Sequence, residues 1–157
     1  MDPATISFII TALASGAIFV TSAVVEEEVQ ANYRSLKVFV GEKFGLQKSV
    51  VQLENIPTQE NQKLLAEDLA DVIEAQEIEI IDELINKTKA LTESLEKVSE
   101  KLSKQDFDAI GIDLENVKAI NVKINNVISE GGAKVLGIKA RNLEADSIDA
   151  GDIIAKK

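Results

Sequence analysis

The sequence predicts an α+β protein, an N-terminal helical bundle followed by a short two-coil β-solenoid. Three patterns predict it: a run without charge from Ile6 to Val25, a heptad seam from Ile81 to Leu102, and a five-residue period that begins at Ala109. On these patterns residues 1–104 form the bundle, and 105–157 form the solenoid, with coils at 109–128 and 135–154.

Composition narrows the class before any element is placed. A chain of 157 residues holds one modest domain with an appendage. Apolar residues make up 45% and aromatics only 4%, so the core must be aliphatic. Cys, His and Trp are absent, which removes disulfides, thiol and imidazole nucleophiles and the usual zinc ligands. The expectation is therefore a protein that is not an enzyme and takes no cofactor and no metal. The net charge of −10 is uneven, with acids in excess between Glu26 and Asp106 and balance from Ile110 to Lys157. Such a surface repels phosphates, so nucleic acid is not an expected partner, and membrane contact must be hydrophobic.

Ile6 to Val25 has about the length needed to cross a hydrocarbon core as a helix, though Ser, Thr, Ala and Gly16 lower its hydrophobicity. It reads as a buried core helix, as a helix that inserts conditionally, or as a permanent span. The basic start of a secretory signal is missing, and Glu26, Glu27 and Glu28 follow at once. The expected location is thus the cytoplasm, with relocation to the inner face of the cell membrane. The candidate membrane-inserting side chains are Ile6, Phe8, Ile9, Ile10, Leu13, Ile18, Phe19 and Val20.

Val38, Val40 and Phe44 come next, and Gly41 and Gly45 mark a helix end and a loop. Pro57 and Thr58 open a new helix, with Leu64, Leu65, Leu69, Val72 and Ile73 on one face. From Ile81 the positions Leu84, Thr88, Leu91, Leu95, Val98 and Leu102 alternate in steps of three and four, a long amphipathic helix with one polar interruption. Its acids and lysines belong to solvated faces. Ser103 to Asp106 reads as a polar hinge.

Beyond the hinge the chain divides into AIGID, LENVK, AINVK and INNVI, then SEGGAK, then VLGIK, ARNLE, ADSID and AGDII. The fourth position of each pentad is Ile112, Val117, Val122, Val127, Ile138, Leu143, Ile148 and Ile153, all branched aliphatics. A chain that turns a corner every five residues would bring these eight to one inner wall, the candidate assembly core. Gly111, Gly131, Gly132 and Gly137 read as turn residues, with no phosphate-loop signature around them.

The pentads resemble those of pentapeptide-repeat proteins, although here the small residue stands three positions before the aliphatic one. A two-coil unit is also similar to the repeat pair of fungal prion-type amyloid signalling segments. The N-terminal part resembles the bacterial Bell-type cell-death domains, themselves similar to the fungal HeLo group. That resemblance rests on the Met1-Asp2-Pro3 start, the apolar helix, Tyr33, Leu36, Lys37, Phe44 and Gly45, and the Leu65–Leu69 stretch. It implies a helical bundle that kills from a membrane once a C-terminal segment has clustered it.

Two functions are therefore expected. The first is a self-assembling, membrane-targeting cell-death or defence effector, oligomerised by its solenoid because two coils leave unpaired strand edges. The alternative is a structural filament or scaffold subunit with no membrane activity. The expected partners are further copies of the chain in an oligomer or filament, an upstream sensor with a matching repeat, and membrane lipid.

Overall fold

The computed structural model describes residues 1, 3–22 and 24–129. Among them there are seven helices and no strand: α1 (Pro3–Val20), α2 (Glu27–Lys43), α3 (Gln47–Asn55), α4 (Gln59–Ile73), α5 (Ile78–Val98), α6 (Lys104–Ile110) and α7 (Leu114–Ser129).

Several boundaries have a local cause. Pro3 stands in the first turn of α1, where its missing N–H costs nothing. At the other end Thr21 Oγ1 donates to the carbonyl of Ala17 (3.0 Å) and Ser22 Oγ to that of Phe19 (2.6 Å), satisfying carbonyls that the helix leaves open. Glu27 and Glu28 lie in the first turn of α2 and Lys43 in its last, both favourable to the helix dipole. Gly45, at φ +69, reverses the chain after α2, and the Leu46 N–H reaches back to the Gly41 carbonyl (3.0 Å). Thr58 caps α4 by accepting from the Asn61 N–H (3.2 Å).

The two longest helices, α5 and α1, supply the frame. α5 packs against α2 on one side and α7 on another, and α1 lies against α2, α3, α4, α5 and α7. The seam of α5 is buried at Ile81, Leu84, Thr88, Leu91, Leu95 and Val98. Thr88 belongs in that seam because its hydroxyl returns to the Leu84 carbonyl (2.9 Å), so no polar group is left bare. On α4, Leu65, Leu69 and Ile73 are buried, whereas Leu64 faces solvent at 44% exposure.

The β-coil expected over 109–128 is overturned. Ser103 to Asp106 is the capping box of α6, with Ser103 Oγ accepting from the Asp106 N–H and the Asp106 carboxylate accepting from the Ser103 N–H. Gly111, at φ +93, ends α6, where the Ile112 N–H bonds the Phe107 carbonyl (2.9 Å) and the Gly111 N–H that of Asp108 (3.0 Å). Asp113 Oδ1 then accepts from the Glu115 and Asn116 N–H groups and starts α7. Phe107, Ile112, Leu114, Val117, Ile120 and Ile124 join the same core as α1 to α5. The described chain is thus all-α, and the second coil, 135–154, lies outside the described residues.

Candidate functional site

The candidate site is α1 and the groups that hold it. Of the eight membrane-inserting candidates, Ile6, Ile9, Ile10, Leu13 and Phe19 are buried in the bundle, while Phe8, Ile18 and Val20 sit half-buried at its rim. The helix has no charged side chain from Pro3 to Val20, and by length and composition it is the one helix among the described residues able to cross a membrane. A core helix of a soluble protein and a signal sequence meet the same test. Val24 and Val25, at the end of the uncharged run, fall beyond the helix, and Val25 is 73% exposed.

The residues around α1 are matched to it closely. The Phe19 ring stands 6.4 Å from that of Phe107 on α6, and Ile18 lies against Gly111. Gly16 is a notch: a Cβ there would stand 2.7 Å from Cδ1 of Tyr33 and 3.0 Å from Cδ2 of Leu91. The Tyr33 ring of α2 therefore occupies the space that a side chain on α1 would need.

Tyr33 is itself held from a third helix. Its hydroxyl donates to Glu54 Oε2 (3.0 Å) at the end of α3, and Lys37 Nζ donates to both Glu54 oxygens (2.8 and 3.0 Å). Burial, then the charge and hydrogen bond of Glu54, push the Tyr33 phenol well above its ordinary range, so it stays a donor. Burial acts to raise the Glu54 carboxyl, but the hydrogen bonds from Lys37 and Tyr33 and the Lys37 charge outweigh it and hold the group below its usual range. The cluster borders an open cleft of about 340 Å³ that Val20, Thr21, Gln30 and Arg34 also line. Among the described residues no group of three or more acidic, His or Cys side chains could hold a metal ion.

The four assembly-core candidates among the described residues are not brought together. Ile112 and Val117 are buried, Val127 is half-buried and Val122 is 57% exposed, so these four do not share a wall. Ile138, Leu143, Ile148 and Ile153 lie outside the described residues. Sequence reasoning passed over Glu54 and treated Gly16 only as a dilution of hydrophobicity. The spacing of Tyr33 and Lys37, i and i+4 on one helix, was a usable signal that they share a partner. Nothing in the sequence names that partner as Glu54. No family model, no curated protein and no solved structure matches the chain.

Proposed function

We propose that the protein is a non-enzymatic, membrane-acting effector of the cell-death kind, in which α1 is stored in a helical bundle and leaves it to enter a bilayer. One observation carries this reading. A helix that serves only a core has an apolar stripe and a charged outer face, as α4 and α5 do. The exposed positions of α1 are Pro3, Ala4 and Ser7, all uncharged, and its half-buried rim is Phe8, Thr11, Ile18 and Val20. Uncharged outer positions add nothing to the solubility of the bundle, but they remove the main barrier to a bilayer. Eighteen residues also span about 27 Å as a helix, close to the roughly 30 Å of a hydrocarbon core.

The likeness to Bell-type domains supports the same reading through Tyr33, Leu36 and Lys37 on α2. The protein would wait in the cytoplasm and act at the inner face of the cell membrane. A lone helix has no lumen, so permeabilisation needs several copies of the chain side by side.

The test is dye leakage from phosphatidylcholine vesicles with purified protein. Thr11 is half-buried and central in α1, so Thr11→Asp leaves the core packing in place, while a charge at mid-bilayer costs about 2.5–3.5 kcal/mol. The expected result is an unchanged unfolding midpoint with leakage cut by about a hundredfold. Leakage by Thr11→Asp at the wild-type level sinks the reading. The burial of 61% of α1 favours a second reading, a scaffold subunit in which α1 never leaves. Wild-type protein that assembles without leaking any vesicle would establish that one.

A further inference from the structure

We propose that Tyr33, Glu54 and Lys37 form a latch that keeps α1 in the bundle, an autoinhibitory contact that must open before α1 can leave. The effect on membranes rests on the reading of α1 given above; the latch itself does not.

The argument begins at the Gly16 notch. The Tyr33 ring fills it at a distance no side chain on α1 would permit, so α1 cannot shift along or rotate against α2 while the ring stays in place. The ring is buried, at 4% exposure, and its hydroxyl donates to Glu54 of α3. Removing that acceptor leaves a buried phenol without its partner, which favours swinging the ring toward water and out of the notch. Lys37 grips both oxygens of the same carboxylate and stands 5.9 Å from the centre of the Tyr33 ring. One carboxylate thus fixes two side chains of α2, and through Tyr33 it fixes α1.

The placement suits a control point. The side chains of Glu54 and Lys37 are 23% and 30% exposed and open onto the cleft beside Thr21 and Arg34, whereas the ring they position is inside. A binding event at the cleft can therefore reach the carboxylate without first unfolding the core, and its effect is felt at Gly16, in the C-terminal third of α1. Other side-chain ties do not have this geometry. Ser49 Oγ donates to Asp68 Oδ2 (2.6 Å) and joins α3 to α4, with neither residue in contact with the notch.

Hydrogen exchange of the full chain, read helix by helix, tests the latch. In Glu54→Ala the amides of α1 should exchange about tenfold faster than in the wild type, and in Tyr33→Phe, which keeps the ring and leaves no bare phenol, by less. The double variant should be no faster than the faster single, because both remove one interaction. Ser49→Ala should leave α1 unchanged, and α7 should be unchanged in all four. The latch is overturned if α1 is unaffected in Glu54→Ala, if Ser49→Ala accelerates it equally, or if every helix accelerates together. The same variants in the vesicle assay separate the two claims. Faster α1 exchange with leakage raised about tenfold supports both; faster exchange with no leakage supports the latch and removes the membrane reading.

Discussion

At Gly16 the approach of α1 to its neighbours leaves no room for even one methyl group. The two obstacles differ in kind: Leu91 Cδ2 is the free end of a side chain, but Tyr33 Cδ1 belongs to a rigid ring pinned at its hydroxyl by Glu54. Gly16→Ala gains about 1 kcal/mol of helix propensity and loses about 1–3 kcal/mol to overpacking. We expect a net loss of about 1 kcal/mol, read from the urea midpoint, and a smaller loss when Glu54→Ala has already released the ring. A raised midpoint in Gly16→Ala would show that the notch is empty space. At this scale the sequence was informative where the cause was local. Thr58 was readable as a cap from Pro57 and Glu60 beside it. Gly16 was not readable as a notch, because its reason is a ring on another helix.

The same division explains α7, where a real pattern led to the wrong element. In a helix, a five-residue step turns the chain by about 140° net, so every fifth residue walks around the axis. Val122 duly ends up 57% exposed while Val117 is buried. The face that packs is Leu114, Val117, Ile120, Asn121 and Ile124, spaced three and four apart, and the stretch LENVKAINVKINNVI satisfies both periods. The helical one wins here because it comes with a helix start at Asp113 and a turn at Gly111 that seats Phe107 and Ile112 in an existing core. One asparagine of this stretch has an element-scale task. Asn121 accepts from Thr92 Oγ1 (3.1 Å) and donates to Glu96 Oε1 (2.7 Å), a buried polar node between α5 and α7. Asn121→Ala leaves both α5 partners short of a bond and should cost about 2 kcal/mol in urea unfolding. A loss below about 0.5 kcal/mol would mean that apolar contact alone sets the register of α7.

For the whole molecule the decisive quantity is charge, because the apolar helix and the net charge of −10 act against each other near a membrane. The bundle carries its acids on the outside of α2, α4 and α5, and the surface ion pairs Glu28–Lys97 and Glu26–Lys101 (both 3.5 Å) neutralise only part of them. An anionic bilayer therefore repels the protein at the distance where α1 has still to gain from burial. Salt shortens that repulsion, from a reach of about 30 Å at about 0.01 M to about 10 Å at about 0.1 M, and leaves the hydrophobic gain nearly untouched. Leakage of vesicles containing phosphatidylglycerol should accordingly rise several-fold as salt increases over that range. Leakage of uncharged phosphatidylcholine vesicles should stay nearly flat. This is opposite to the behaviour of a protein that docks through a basic patch, whose binding salt weakens. If anionic vesicles leak less as salt is added, local lysines such as Lys37 and Lys43, rather than the apolar face of α1, make first contact with the lipid.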